Sequence, residues 1–287
     1  MNKDYKVLTT ITTYNSDIEL LRKNIVAVVD QTDELFVYEN ASENRSEVIA
    51  LCQELNVKII LNDKNYGVAG PLRDGIIYAI ENGYDYVFTL DQDTVVSQGM
   101  IEKLAAILKS DDKIAMACGT RVNPDFPAPL PPEEWNAPIN AVITSGTLAR
   151  AKAVMEVGNY IPELFIDAVD NEICYRLRKN GYKIITCGVR YLHCIGEPVK
   201  CKVLFKTFRT LNYSPFRLYY TWRNSCFIFK VYKKDKAIKE LKRYIKYIKI
   251  KIILVEKNKS KKLKAIRQGK KDSKALYKTL KEKYSFL

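Results

Sequence analysis

The sequence predicts an α/β fold, in which helices flank a mostly parallel sheet and a basic helical extension follows at the C-terminus. Short runs rich in β-branched residues alternate with segments whose apolar residues fall at helical spacing. Charge is divided along the chain: residues 1–199 carry 19 Lys and Arg against 28 Asp and Glu, whereas residues 200–287 carry 28 against 5. We therefore expect two regions with different roles, a first domain over residues 1–200 and a second over 201–287.

Strands and helices alternate regularly in the front of the chain. The strands are predicted at 7–13, 35–39, 57–61 and 86–90, and the helices between them at 17–29, 46–55 and 68–82. This spacing is typical of right-handed βαβ units, which build parallel sheets. Less regular sequence follows, with predicted helices at 101–108 and 170–179, strands at 114–120 and 183–186, and a proline-rich ordered loop or lid at 123–138.

Composition excludes several classes of protein. Apolar residues make up 47% and charged residues 28% of the 287, which excludes disorder and collagen-like structure and leaves ample length for a large core. The N-terminus lacks the apolar stretch of a secretory signal, and the chain lacks the run of about 18 apolar residues that a membrane span requires. Seven cysteines without CxxC spacing predict reduced thiols in a cytosolic protein.

Polar segments follow the predicted strands. In an open α/β sheet, ligands bind at the carboxyl ends of the strands, and four such ends are polar here: 12–15, 39–42, 62–65 and 91–93. Asp91 and Asp93 stand one residue apart after an apolar strand, so their carboxylates point the same way and can share a divalent cation with a diphosphate. Hard oxygen ligands suit Mg²⁺ or Mn²⁺. The alternative is an ordinary acidic turn.

Several motifs occur in the order found in family 2 inverting glycosyltransferases, which have the Rossmann-like GT-A fold: ITTYN, ENAS, NYGVAGPLRDGI, LDQD, SGT and VDNEICYRLRKNGYKI. The resemblance covers about residues 5–200. The DQD form and the later LYYTWRN segment look most like bacterial rhamnosyltransferases that build surface polysaccharides. The resemblance implies metal-dependent, inverting transfer of L-rhamnose from dTDP-L-rhamnose to a hydroxyl of a lipid-linked glycan.

The resemblance also implies a donor-binding set: Thr12, Tyr14, Asn40, Asp63, Arg73, Asp91, Gln92 and Asp93. The first three of these would line the nucleoside pocket, with Asp63 beside the base and Arg73 near the diphosphate. Asp91 and Asp93 would hold the ribose and metal side of the donor. Two positions depart from the family pattern, because Glu39 stands where an aspartate is usual and Asp74 where an asparagine is frequent.

Three acids at the start of a predicted helix are candidates for the catalytic base. Inverting transfer needs a carboxylate that removes the proton of the acceptor hydroxyl. The resemblance places Asp170 at the base position; Asp167 is the competing candidate, and Glu172 would orient the acceptor or the helix. A plain capping box is the alternative, because a helix N-terminus tolerates negative charge.

Three more residues have open roles. His193, the only histidine, follows a strand that returns toward the site, where relatives place a metal-binding histidine, so it is either a metal ligand with Asp93 or a structural side chain. Arg223 and Asn224 resemble a family feature near the acceptor or the diphosphate.

The basic tail predicts contact with a membrane. Six apolar residues form one face of a predicted helix, with lysines on the other faces: Leu241, Tyr244, Ile245, Ile248, Ile252 and Val255. A second Lys-rich helix is predicted at 260–284. We expect these helices to bind the anionic inner face of the cell membrane, which makes the enzyme cytoplasmic and peripheral. The alternatives are a stripe that packs against the protein, or a nucleic-acid patch, which the acidic front of the chain disfavours.

Two other functions stay open. The donor could be a UDP-sugar that carries another hexose, because the residues that contact sugar hydroxyls are scattered over loops. A non-catalytic protein that binds a sugar nucleotide or a polyanion would carry the same carboxylates as structural groups.

Overall fold

The computed structural model describes residues 4–124, 127–193, 199–203, 206–235 and 237–287. The chain divides into two compact units: Met1–Phe165 with Ile173–Cys194, and Ile166–Glu172 with Ile195–Leu287. The acidic segment 166–172 therefore belongs to the second unit, although the sequence analysis assigns it to the first domain. The division at residue 200 stays a prediction.

The first four strands form the parallel sheet that the sequence predicts. They are β1 (Val7–Thr13), β2 (Glu34–Glu39), β3 (Lys58–Leu61) and β4 (Tyr86–Asp91), in the order β3-β2-β1-β4. The helices between them are α1 (Ile18–Val28), α2 (Arg45–Glu54) and α3 (Ala69–Glu81). All three strand pairs are parallel, because each connection contains a helix that crosses from one strand to the next.

The same sheet continues with mixed strand directions. Its further strands are β5 (Thr94–Val96), β6 (Ile114–Val122), β7 (Asn136–Pro138), β8 (Thr147–Arg150) and β9 (Lys183–His193), and its further helices are α4 (Met100–Lys109), α5 (Ala151–Glu156) and α6 (Val169–Lys179). The order beyond β4 is β8-β6-β9-β5, with β7 also on β9. Only β6 and β9 pair in parallel among these strands. The α/β class is confirmed, and the short strands β5, β7 and β8, which the sequence analysis misses, make the sheet mixed.

Apolar residues of the sheet and its helices form the core of the first unit. Leu8, Ile11 and Phe88 are fully buried, as are Leu21 and Ile25 of α1. Burial of each such side chain stabilises the fold by about 1.5–3 kcal/mol. Helix α1 begins where the sequence predicts, because the Asp17 carboxylate accepts a hydrogen bond from the backbone N–H of Leu20 at 2.9 Å.

The second unit is mainly helical, as the sequence predicts. Its elements are an antiparallel pair, β10 (Val199–Val203) and β11 (Lys206–Thr210), and the helices α7 (Pro215–Val231), α8 (Ile238–Leu254) and α9 (Lys259–Lys283). Helices α7 and α9 approach closely at Gly269, where a Cβ atom would lie 2.4 Å from the carbonyl oxygen of Tyr219. None of the helices in the described ranges is both long enough and apolar enough to cross a bilayer.

Most of the apolar stripe of α8 is covered by protein. Leu241, Ile245, Ile248 and Ile252 are buried, so the predicted contact of these four with lipid is wrong, whereas Tyr244 of the same row is 45% exposed. An amphipathic helix in a folded protein turns its apolar face to the interior, and that rule decides the orientation here.

We predict that Gly269→Ala lowers the free energy of unfolding by about 1–3 kcal/mol, because the new methyl group would overlap the backbone of α7. Helix propensity alone predicts the opposite sign, since alanine favours a helix over glycine by about 1 kcal/mol. Urea unfolding of the full chain distinguishes the two. Thr279→Ala, at an exposed position of α9, is the matched control and should change stability by no more than about 0.5 kcal/mol. A stabilised Gly269→Ala variant would contradict the close packing of α7 and α9.

Candidate functional site

The carboxyl ends of β1, β2 and β4 lie side by side. Thr13 is paired with Glu39, and Thr12 with Asp91. Because these strands are parallel, the polar residues that follow each of them gather at one edge of the sheet. The DQD sequence therefore stands next to the end of β1.

Asp91, Asp93 and His193 come together at this edge. Strand β5 turns back and pairs antiparallel with β9, so that Thr94 stands opposite His193. The Nε2 atom of His193 lies 3.8 Å from Oδ2 of Asp91, and its Nδ1 atom lies 3.4 Å from Oδ1 of Asp93. The histidine is buried, whereas the carboxylates are partly open to solvent. The structure thus brings together the three residues that the sequence predicts for metal binding.

A hydrogen-bond chain holds the histidine ring. Nδ1 of His193 lies 2.6 Å from the Thr94 hydroxyl, which lies 2.6 Å from the Ser145 hydroxyl. The Ser145 oxygen also accepts a hydrogen bond from the backbone N–H of Asp91 at 2.9 Å. When Nδ1 donates to Thr94, the lone pair of Nε2 is available to a ligand. Neither Thr94 nor Ser145 has a role predicted from the sequence, although Ser145 belongs to the SGT motif.

The three side chains fit a divalent cation. One ligand atom from each of Asp91, Asp93 and His193 can be chosen so that all lie within 4.8 Å of one another, a separation that a single ion can bridge. Two carboxylates and one imidazole form a mixed oxygen and nitrogen set. The buried ring and the partly exposed carboxylates leave one side of the group open to a ligand.

Gln92 points away from the two aspartates that flank it. Its side-chain oxygen accepts hydrogen bonds from the backbone N–H of Tyr14 at 2.7 Å and from the Ser16 hydroxyl at 2.9 Å. It therefore fixes the loop after β1, while the Tyr14 ring stays exposed. Thr12 is half-buried near the end of β1, just before this loop. Their contacts with a donor stay predictions.

Asn40 is engaged inside the protein. Its Nδ2 atom donates to the carbonyl oxygen of Gly67 at 2.9 Å, and its Oδ1 atom accepts from Nδ2 of Asn62 at 2.8 Å. Gly67 has a φ of +66°, and a Cβ there would lie 2.2 Å from the carbonyl oxygen of Phe165, so only glycine fits. The asparagine thus shapes the strand-end loops, and its contact with a nucleoside stays a prediction.

Asp63 and Arg73 are exposed at the same half of the sheet. The Tyr66 hydroxyl donates to Asp63, which raises the pKa of that tyrosine. Nη1 of Arg73 lies 3.6 Å from Oδ1 of Asp74. Burial raises the pKa of Asp74 although Arg73 opposes the shift. Both predicted donor contacts, of Asp63 with a base and of Arg73 with a diphosphate, stay predictions.

Glu39 organises the loop between β2 and α2. Its carboxylate is fully buried and accepts hydrogen bonds from the backbone N–H of Ser42 at 2.6 Å and from Nε of Arg45 at 2.5 Å. Burial alone would raise the pKa of Glu39, but the hydrogen bonds from Ser42 and Arg45 outweigh it and hold that pKa below its ordinary 4.5. Glu39, whose side chain is one methylene longer than that of aspartate, therefore stabilises the structure of this loop.

The acidic segment of the second unit is held by α7 and the residue after it. Asp167 forms an ion pair with Arg217, whose Nη2 lies 2.8 Å from the carboxylate. The carboxylate of Glu172 is buried and accepts from the Tyr232 hydroxyl at 2.6 Å. Asp170 is half-buried in the first turn of α6, and its carboxylate accepts from the backbone N–H of the next residue at 2.8 Å.

Arg223 and Asn224, although adjacent in sequence, lie in different surroundings. The Arg223 guanidinium lies 4.6 Å above the centre of the Tyr220 ring, in the geometry of a cation–π contact. Asn224 is fully buried and donates to the backbone carbonyls of Ile166 and Asp167. Contacts of the pair with an acceptor or a diphosphate stay predictions.

An open cleft of about 560 Å³ lies along β6 and β9 in the first unit. Its walls are mostly apolar and include Leu130, Trp135 and Tyr191. The indole of Trp135 is 41% exposed, and Tyr191 precedes His193 by two residues on β9. The cleft therefore begins near the end of the strand that carries the candidate metal ligand.

Comparison with known proteins identifies relatives of this arrangement. The model of glycosyl transferase family 2 matches residues 10–154, half of the chain. A dTDP-rhamnosyl transferase of Shigella flexneri is 27% identical over 239 residues, which cover 76% of this chain and 78% of the relative. A poly-β-1,6-N-acetyl-D-glucosamine synthase of Staphylococcus aureus is 27% identical over 185 residues, 58% of this chain, and the match spans 44% of that synthase.

A solved structure shares the fold. The crystal structure of GalNAc-T7 with UDP, GalNAc and Mn²⁺ matches 88% of this chain and 51% of its own, with a TM-score of 0.59 and 18% sequence identity. The predicted GT-A architecture is therefore confirmed.

We predict that Glu39→Gln lowers the free energy of unfolding by about 1–3 kcal/mol at pH 7, because the loop loses hydrogen bonds to a charged acceptor. The folded pKa of Glu39 is below 4.5, so its contribution is complete above pH 4.5 and is lost as the pH falls through the folded pKa. The difference between variant and wild type in urea unfolding should therefore shrink in acid. Glu43→Gln, at an exposed acid of the same loop, should show little effect at either pH; a constant difference for Glu39→Gln would contradict the assignment.

Proposed function

Because the chain belongs to glycosyl transferase family 2, we propose that this glycosyltransferase moves L-rhamnose from dTDP-L-rhamnose to a hydroxyl of a lipid-linked glycan, with inversion. The observation that carries the proposal is the Asp91, Asp93 and His193 group at the strand ends where α/β sheets bind ligands. The rhamnosyl transferase relative, which aligns over most of both chains, supports the choice of sugar and nucleotide.

A divalent cation would be held by Asp91, Asp93 and His193. Mg²⁺ and Mn²⁺ both suit the carboxylates, and the imidazole favours Mn²⁺, because Mg²⁺ prefers oxygen ligands alone. When bound, the cation would stabilise the charge that develops on the departing nucleoside diphosphate. The protein's part is to hold the ring of His193 through Thr94 and to turn both carboxylates toward one point.

Asp170 is the proposed general base. Of the three acids in its segment, Asp167 is paired with Arg217 and Glu172 is bound to Tyr232. Asp170 lies in the first turn of α6, where the helix dipole favours the negative carboxylate that a general base must present. The family resemblance at the start of α6 supports Asp170 as the group that removes the acceptor proton, and the ion pair with Arg217 gives Asp167 a structural role.

The acceptor would use the cleft beside β9. A lipid-linked glycan offers sugar rings with apolar faces, and the exposed indole of Trp135 can stack on such a face. Polysaccharide synthesis at a membrane is consistent with this acceptor. The synthase relative supports the same general class of product.

We predict that dTDP-rhamnose is consumed in preference to UDP-glucose, UDP-galactose and UDP-N-acetylglucosamine, measured as release of nucleoside diphosphate with Mn²⁺ and a lipid-linked glycan acceptor.

Asp93→Ala should abolish metal-dependent turnover and weaken Mn²⁺ binding measured directly by electron paramagnetic resonance, because one of the carboxylate ligands is lost.

Asp30→Ala, an equal change at an exposed position of the first unit, is the control and should leave turnover and Mn²⁺ affinity as in the wild type. Preference for a UDP-sugar would replace the proposed donor by the hexose alternative. Consumption of none of the donors would favour a non-catalytic binding protein.

Membrane attachment is proposed through a second face of α8. Tyr247, Ile250 and Leu254 are each more than 40% exposed and follow at i, i+3 and i+7, so they form one row along the helix. Lysines 246 and 249 are exposed beside them. Apolar side chains that enter the lipid interface, with lysines that reach anionic headgroups, are typical of peripheral helices.

We predict that the full chain sediments with anionic vesicles and does not sediment with neutral ones. Salt at 1 M should release it, because the Debye length falls to about 3 Å. Ile250→Asp with Leu254→Asp should weaken binding by roughly tenfold or more, because two inserted side chains are lost. Val26→Asp, at an equally exposed apolar position of α1, is the matched control. Unchanged binding of the double variant would exclude this face.

A further inference from the structure

The acidic segment 166–172 contains a backbone conformation that its own residues disfavour. Asp167 and Ala168 have φ angles of 61° and 60°, in the left-handed region where a Cβ atom crowds the neighbouring carbonyl oxygen. Two consecutive residues other than glycine keep this conformation only when surrounding contacts fix it. Helix α6, with Asp170 in its first turn, begins at the next residue.

Side chains of α7 provide these contacts. Nδ2 of Asn224 donates to the carbonyl oxygens of Ile166 and Asp167 at 2.9 and 2.8 Å. Arg217 donates from Nη2 to one carboxylate oxygen of Asp167 at 2.8 Å, and the Thr221 hydroxyl lies 3.1 Å from the other. Positions 217, 221 and 224 follow at i, i+4 and i+7, so one face of α7 holds the segment.

The three side chains are themselves fixed. Asn224 and Thr221 are buried, so their rotamers are set by packing. The Arg217 guanidinium stacks 4.5 Å from the centre of the Tyr213 ring. Because packing and the tyrosine ring fix these three side chains, they can hold the left-handed backbone of Asp167 and Ala168 rigidly in place.

We infer that Arg217, Thr221 and Asn224 are positioning residues that fix the start of α6 and, through it, the carboxylate of Asp170. The inference rests on the proposed function, because it takes Asp170 as the base. It makes Asp167 the anchor of the segment instead of a competing base. It also gives the C-terminal unit a part in the transfer step, separate from any attachment to a membrane.

Asn224→Asp and Arg217→Lys test the inference in the full chain. The first is isosteric and replaces two N–H donors by a carboxylate that faces two carbonyl oxygens. The second keeps the positive charge at a less buried position, so it stays informative if the first variant fails to fold. Each should lower kcat by about 10- to 100-fold, while the dTDP dissociation constant stays within about twofold of the wild type. Ser225→Ala removes a buried hydroxyl that finds no partner among the described residues and should leave kcat unchanged.

A backbone rescue separates positioning from a direct contact with substrate. Glycine adopts the left-handed region without the Cβ clash, so Ala168→Gly should restore kcat of the Arg217→Lys variant several-fold and leave the wild type nearly unchanged. An Arg217 side chain that contacted substrate could not be rescued in this way. A failed rescue, or a rise in the dTDP dissociation constant with kcat unchanged, overturns the inference.

Hydrogen exchange of residues 166–172 makes the test independent of the base. Exchange should be faster in Asn224→Asp and Arg217→Lys than in the wild type and Ser225→Ala, and unchanged exchange overturns the inference. Asp170→Asn should lower kcat by roughly 10²–10⁴-fold. If Asp170→Asn keeps its activity while the α7 variants exchange faster and lose kcat, the base assignment fails, whereas the positioning of the helix start is supported.

Discussion

The antiparallel pairing of β5 with the end of β9 is the interaction on which the candidate metal site depends. Asp91 and Asp93 come from one strand end, but His193 is about a hundred residues away in sequence and meets them only because Thr94 pairs with it. The hydroxyls of Thr94 and Ser145 then connect the ring to the backbone of Asp91. Because Asp91, Thr94 and His193 lie on strands and Ser145 stands in the turn before β8, the sheet and this adjoining turn hold the histidine ring.

The second unit uses the same principle for its acids. The backbone of 166–168 is strained, and side chains from a helix about fifty residues later hold it. Removing the carboxylates of Asp167 and Glu172 from water costs free energy. The ion pair of Asp167 with Arg217 and the hydrogen bond from Tyr232 to Glu172 offset this cost. In both units, distant polar side chains position a short acidic segment whose own sequence specifies little of its geometry.

The sequence predicts what depends on local pattern. Strand β1, the helices of the parallel half and the Asp17 cap follow from periodicity and capping. Strands β5 and β8 have only three and four residues, too few to show a period, and they exist because longer neighbours pair with them. The stripe of α8 is visible in sequence, but periodicity cannot say whether the protein or a lipid covers it. Arg217, Thr221 and Asn224 do show helical spacing, yet their target lies in another segment, which only the fold identifies.

Electrostatics favours a metal-dependent donor site over a simple polyanion site at the end of β4. Two like charges 4 Å apart repel by about 4 kcal/mol at an effective dielectric constant of 20; solvent reduces this repulsion here, since Asp91 and Asp93 are 40% and 30% exposed. A site that binds phosphate directly presents backbone N–H groups of a helix N-terminus or basic side chains, whereas this strand end presents two carboxylates. The carboxylates repel each other and would also repel a diphosphate. A divalent cation placed between them and the diphosphate would attract all of these negative groups. The same carboxylates that would weaken a polyanion-binding protein therefore support metal-dependent binding of a nucleotide sugar.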